Sequence, residues 1–277
     1  MGIELGNAHA PEDEGVAFER WFRWLAPLTL AALAIGAWDL VVRLKGIPPY
    51  ILPGPGLVLA SLINDWASLW PSLLVTLKIT FMALSAAIIG GVGLAVLFSL
   101  SRWIELSLFP FAVILQVTPI IAVAPLILIY VDNTNLALLL CAWIVAFFPI
   151  LSNTTLGLNS ADHNLRDLFQ LYRASRWQQL ILLRLPAAMP YFLGGLRIAG
   201  GLSLIGAIVA EFAAGTAGTG SGLAYRILEA GYRLNIPRMF AALILISLTG
   251  IVIFLVLTLL QHLVLRRWHE SALQRER

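Results

Sequence analysis

Six stretches of this chain, each about twenty residues long, are nearly free of side chains that water would solvate. The length is the constraint. A helix rises 1.5 Å per residue, so ~20 apolar residues cross a hydrocarbon core of ~30 Å. Inside that core a backbone polar group finds no water, which leaves the helix and the closed barrel as spanning forms. The ten-residue alternating strands of a barrel are not visible in the sequence. An all-α membrane protein with six transmembrane helices is therefore expected. Composition agrees: 60% of the 277 residues are hydrophobic and 12% charged, against about half and a quarter in a soluble domain.

The spans are placed near 25–43, 73–100, 107–131, 136–158, 190–213 and 239–264. The acidic start, with Glu4, Glu12, Asp13 and Glu14, is a poor secretory n-region, so the first span reads as a signal-anchor. Residues 1–24 are an N-terminal tail, with 1–20 expected disordered or interfacial. IPPYILPGPG (47–56) interrupts helix formation and is followed by a short helical pattern over 57–69. That divides the chain into the tail, a first unit over 25–71, a core over 72–265 and a C-terminal tail over 266–277.

Lys and Arg in the loops set orientation. With both ends inside, Arg20, Arg23, Arg102, Arg166, Arg173, Arg176, Arg184, Arg266, Arg267, Arg275 and Arg277 are cytoplasmic. Arg43, Lys45, Arg226, Arg233 and Arg238 are then external, eleven against five. The bias predicts N-in and C-in, and a cytoplasmic loop at 159–189. Net charge is only +3, which gives no reason to expect nucleic acid. His9, His163, His262 and His269 are scattered without ligand spacing, so no metal and no cofactor is expected. Cys141, the single cysteine, sits in an apolar run as small core filler.

The polar loop is the feature a membrane protein has least reason to carry. Leu165, Leu168, Phe169 and Tyr172 recur at helical spacing and give one apolar face. Ser175 with Gln178 forms a capping-box pattern before the run LILL. The loop thus reads as two short amphipathic helices with a bend around Arg173–Ala174, the second ending at Leu185–Pro186 because proline is disfavoured inside a helix. Such helices either dock a partner or lie along the membrane.

The stretch resembles the cytoplasmic "EAA" loop of binding-protein-dependent ABC importer permeases. The family pattern is E-A-A, three residues, G, nine residues, then I-x-L-P. Here that spacing falls on Asp167, Leu168 and Phe169, then Arg173, then Leu183, Arg184, Leu185 and Pro186. ASRW (174–177) and LPAAMPYFLGGLRIA (185–199) match closely, whereas EAA has become DLF and the glycine is Arg173. Arginine at a bend implies either negative φ there or two nearly continuous helices. WDLVVRLKGIPPYILPGPGLV (38–58), TPIIAVAPLILIY (118–130), AIVAEF (207–212) and LRRWHES (265–271) resemble permeases of the sulfonate, taurine, nitrate and pyrimidine-precursor subfamily. The resemblance covers about residues 25–271 and implies a type I importer permease fold in a bacterial inner membrane.

It further implies that Asp167, Leu168, Phe169, Tyr172, Arg173, Ala174, Ser175, Trp177, Leu183, Leu185 and Pro186 form an ATPase-coupling loop. The implied partners are ABC ATPase subunits, a second permease copy in a homodimer, a periplasmic or lipid-anchored substrate-binding protein, and membrane lipid. The implied cargo is a small polar nutrient, a pyrimidine or thiamine precursor, or sulfonate, taurine or nitrate. The chain itself is not an enzyme, because hydrolysis belongs to the ATPase.

Proline breaks in a span are tolerated where they face protein or a cavity. Thr118, Pro119 and Pro125 in the third span are accordingly expected on the translocation path, the alternative being a packing kink. Glu211, near the end of the fifth span, is expected to cap or line the external gate, or to pair with Arg226 or a neighbouring helix. Lys78 is expected to snorkel. Gly90, Gly91, Gly93, Gly194, Gly195, Gly200 and Gly201 permit close helix packing or a homodimer seam. GTAGTGSG (215–222) has Walker-like glycine spacing but Ser221 in place of the lysine, so it is read as an external connection. An ion-coupled secondary transporter is the alternative function; it calls for a midplane carboxylate or an inverted repeat, and neither is visible. A membrane enzyme would need an acid–base or metal cluster at one face.

Overall fold

The computed structural model describes residues 12–215 and 220–266, with side chains from Leu25 onward. The expected tails at 1–11 and 267–277, and residues 216–219 of the glycine-rich stretch, lie outside the described residues. Helix α1 runs over Glu12–Lys45, so helix already occupies half of the stretch read as tail. Next come α2 (Pro55–Asn64) and α3 (Trp66–Leu100). The helical pattern over 57–69 is thus two elements, divided at Asp65.

The third expected span is broken. Helices α4 (Arg102–Val117) and α5 (Ile120–Tyr130) meet at 101° across Thr118–Pro119. Then follow α6 (Thr134–Asn159), α7 (His163–Leu171), α8 (Arg176–Gln179), a π-helical turn (Leu180–Arg184), α9 (Leu185–Ala214), α10 (Leu223–Tyr232) and α11 (Ile236–Leu265). Among the described residues, five helices are long and apolar enough to cross a bilayer, six if the broken pair counts as one span.

Helices α3, α6 and α9 form the centre. Gly91 of α3 lies against Ile150 and Leu151 of α6, and Gly195 of α9 against Asn153 and the Pro149 carbonyl, so close that a Cβ would displace either neighbour. Where lipid is as apolar as leucine, such close approach supplies the dispersion that holds helices together. Leu84, Ile150, Leu151, Leu158 and Leu196 fill the space around them, and Cys141 is fully buried in a second cluster with Ile79 and Ala207. Gly157 and Gly206 make equally tight contacts with Ala188 and Ala142, whereas Gly93, Gly194 and Gly201 meet open space. Helix α1 stands largely apart: its apolar stretch is unburied, and Trp38 touches Phe240 of α11 at 5.9 Å between ring centres.

Alternating spans give the bundle two ends. The loop face carries the α3–α4 junction and residues 160–184. The cap face carries α2, the start of α3, α10 and the start of α11.

Candidate functional site

At the loop face, Asp162 caps α7, its Oδ1 accepting from the N–H groups of Asn164 (2.7 Å) and Leu165 (3.4 Å). Asp167, Leu168 and Phe169 lie on α7, and Tyr172 closes it. No residue of α7 is buried; Leu168 is 45% exposed and Tyr172 81%. An apolar helical face left in the open has no partner among the described residues.

The bend corrects the expectation for Arg173, which has φ +50°. It is neither a negative-φ bend nor a continuous helix. The Ala174 N–H donates to the Phe169 carbonyl (2.9 Å) and the Arg173 N–H to that of Gln170 (2.9 Å). That pair of bonds is a Schellman turn, which places its C′ residue in the left-handed region and normally uses glycine. Arg173 therefore keeps the geometry of the family's glycine at a cost of ~1–2 kcal/mol.

Ser175 then starts α8 with the expected capping box. Its Oγ accepts from the Gln178 N–H (3.3 Å), and Gln178 Oε1 accepts from the Ser175 N–H (2.7 Å). Trp177 on α8 is exposed. The expected stop at Leu185–Pro186 does not occur: helix runs without interruption from Arg176 to Ala214. The π turn explains it. The Leu185 N–H donates to the Leu180 carbonyl, five residues back. Widening the helix there relieves the clash between a proline ring and the carbonyl four residues earlier, and Pro186 falls in the first turn of α9. Leu183 is buried and Leu185 packs on the core. The motif is thus half exposed (Leu168, Tyr172, Trp177) and half built into a spanning helix.

Sequence spacing could not reveal what two loop arginines do. Arg184 Nη1 donates to the Ser99 carbonyl (2.9 Å) and Arg176 Nη1 to that of Leu100 (3.5 Å). These are orphan carbonyls of the last turn of α3, and cations suit a helix C-terminus.

Of the residues expected on the path, only Thr118 lines a cavity at the broken span. The cavity is about 270 Å³ and includes Gln116, Ile144, Val145, Pro149 and Leu202. Thr118 ends α4, its Oγ1 donating to the Ile114 carbonyl (2.6 Å), and Pro119 begins α5. Pro125 lies inside α5. Gln116, an exposed carboxamide in an apolar span, was not singled out from sequence; its lone polarity among LFPFAVIL was the available signal.

Glu211 is elsewhere, in the cap face. It is 3% exposed. Its Oε1 accepts from Thr76 Oγ1 (2.8 Å) and its Oε2 from the Ala224 N–H (3.0 Å), while the Leu223 N–H donates to Thr76 Oγ1 (2.9 Å). Glu211 thus caps α10 and ties it to α3. It does not pair with Arg226, whose Nε donates to Ser72 Oγ (2.8 Å) and Nη1 to Glu229 (2.9 Å). Gly222 is required: a Cβ there would overlap the Glu211 carboxylate. Glu229 also meets Arg233 (3.0 Å) and Arg238 (3.6 Å). The hydrogen bond from Arg226 holds its carboxyl below the usual range, with further help from the three arginine charges against the opposing effect of burial. Lys78 shares a cavity with Asn133 and Asn135, and Arg197 lies over Phe254 at 5.6 Å.

The family described as binding-protein-dependent transport system inner membrane component matches residues 87–270. The riboflavin transport system permease protein RibX of Chloroflexus aurantiacus is 33% identical over 255 residues, 90% of this chain and 93% of that protein. The formylaminopyrimidine transport permease protein ThiX of Halalkalibacterium halodurans is 30% identical over 248 residues, 89% and 97%. A solved structure of an amino acid ABC transporter aligns with a TM-score of 0.60 at 20% identity, over 75% of this chain and 97% of that one. That last likeness speaks for the fold. The family match spans both the loop and the broken helix pair. The chain belongs to this family: it is the multi-pass, bacterial inner-membrane permease subunit of an ATP-binding-cassette importer.

Proposed function

We propose that both termini lie in the cytoplasm and that residues 159–189 couple this subunit to separate ATPase subunits. The observation that carries the reading is α7, an amphipathic helix that buries none of its residues and leads through a tight turn into a 39-residue helix. A docked ATPase covers Leu168, Phe169 and Tyr172, and its closure reaches the membrane as rigid-body motion of that helix. The charge bias of the loops supports the orientation.

Two copies pair, and a binding protein delivers a small polar nutrient to the cap face. Thr118 and Gln116 line the path at the break, and Pro119 and Pro125 shape it. A polar side chain at membrane depth belongs beside a water-filled cavity rather than lipid. Glu211 holds α10 in place at the outer end. No bond is made or broken by this chain. Relatives named for riboflavin and formylaminopyrimidine support a pyrimidine-bearing cargo.

Charged replacements at Phe169 and Tyr172 test the coupling. Co-purification of the ATPase is expected to disappear while membrane insertion persists; undiminished co-purification ends the proposal. A ligand screen on the cognate binding protein tests the cargo, and a non-pyrimidine ligand overturns that part.

A further inference from the structure

A polar cavity of about 320 Å³ at the loop face is lined by Ser99, Leu100, Arg176, Gln179, Leu180 and Arg184. Its two arginines use one donor each on the α3 carbonyls, and a guanidinium has five. Neither forms an ion pair among the described residues. The neighbouring carboxylates are otherwise engaged: Glu105 faces Arg102 (4.0 Å) and Asp162 caps α7, while Asp167 is exposed. Two full positive charges outweigh the half negative charge of a helix C-terminus. The cavity is therefore suited to an anion.

What lies next to it narrows the choice. A groove of about 340 Å³, lined by Val92, Gly93, Thr154, Leu185, Met189 and Phe192 among others, opens between the same two helices and is apolar. It continues the same faces. Val92 and Gly93 precede Ser99 and Leu100 by seven residues, two helical turns, and Ala188 follows Arg184 by four. Thr154 is buried there, and its hydroxyl has no hydrogen-bond partner. Trp103, Trp177, Ile181 and Leu182, on the helices at this end of the bundle, are exposed, tryptophan being the residue of the membrane–water boundary. A cationic pocket at the boundary and an apolar groove along the same two helices follow the order of a glycerophospholipid: phosphate, then acyl chain.

We propose that this composite site holds an anionic glycerophospholipid, its phosphate on Arg176 and Arg184 and one acyl chain along the groove. Assignment to the cytoplasmic leaflet rests on the orientation proposed above; the binding does not. The test is native mass spectrometry of the full chain in detergent with equal phosphatidylglycerol and phosphatidylcholine. Retention of phosphatidylglycerol is expected to be favoured about tenfold, with the preference lost in R176Q/R184Q and kept in R176K/R184K. Gly93→Phe, placed where a new side chain meets open space, is expected to lower occupancy with the arginines intact. Equal retention of both lipids, or a glutamine double variant that behaves as wild type, overturns the proposal. Displacement by millimolar inorganic phosphate assigns the pocket to free anions and also overturns it. So does cross-linking of Gly93→Cys between two copies, which puts protein in the groove. Binding is read without ATP or transport, so failure here leaves the coupling proposal standing.

Discussion

The two faces of this bundle treat their charges in opposite ways. At the cap face Glu229 collects three arginines, Asp65 accepts from Ser61 at 2.7 Å, and Glu211 is buried against Thr76 and the start of α10. At the loop face Arg173, Arg176 and Arg184 meet no carboxylate among the described residues, and α7 buries nothing. One face satisfies itself; the other is left incomplete. The two nonetheless share a device. Leu234 at the end of α10 has φ +54°, with Asn235 and Leu234 N–H groups donating to Ala230 and Gly231, the same non-glycine Schellman turn as at Arg173.

The strongest challenge to this contrast is Glu211→Ala. It leaves the Ala224 N–H without its acceptor in a buried site and the Thr76 hydroxyl with only the Ser72 carbonyl (3.2 Å), a loss of about 2 kcal/mol. The unfolding temperature of the purified chain should fall, while Tyr172→Ala, which removes an exposed ring, should leave it in place. Equal shifts would dissolve the distinction between the faces. Gly222→Ala should approach the Glu211 result, because its methyl group and the carboxylate claim the same space.

Arg173→Gly and Leu234→Gly have smaller effects. Each relieves a left-handed residue of its Cβ, a gain of about 1 kcal/mol. Amide exchange should slow at Ala174 and Asn235, whose N–H groups close the two turns. A response at one site only would show that the turns are strained differently.

The smallest effect is that of pH. Because the Glu229 carboxyl titrates below its unfolded value of ~4.3, its contribution is full above that value and is lost as pH falls through the folded one. Protection of α10 amides, relative to their intrinsic exchange rate, should therefore fall below about pH 4, by less than about 1 kcal/mol, while that of α7 stays unchanged. Acid loosening of α7 first would reverse the comparison.

Local patterns were legible in the sequence and contacts across the bundle were not. Ser175 and Gln178 are three residues apart, so their reciprocal caps can be read from spacing. The apolar face of α7 follows equally from short-range rules, whereas Pro119 and Pro125 were alike in the sequence and the break falls at Pro119, Pro125 lying inside α5. Pro186 was misread because the rule against interior proline assumes α geometry, and a π turn suspends it. The Arg184–Ser99 and Arg226–Ser72 bonds join residues 85 and 154 positions apart, and no periodicity encodes such a pair. Glu211 was legible as unusual, a carboxylate at the end of an apolar helix. Its partners were not, since they depend on where α10 and α3 come to rest.

Those distant bonds have a mechanical consequence. Helices α3 and α9 run antiparallel and are pinned to one another twice, Ser99 to Arg184 at one end and Thr76 to Glu211 at the other. The intervals between pins are 23 and 27 residues, roughly 35 Å and 40 Å of helix. Two rods riveted at both ends form a plate, which can tilt but cannot shear. Under the coupling proposed above, a push on α7 moves both helices together, and the give in the subunit then lies outside the plate, where the joint at Thr118–Pro119, with two helices meeting at 101°, is the place for a hinge.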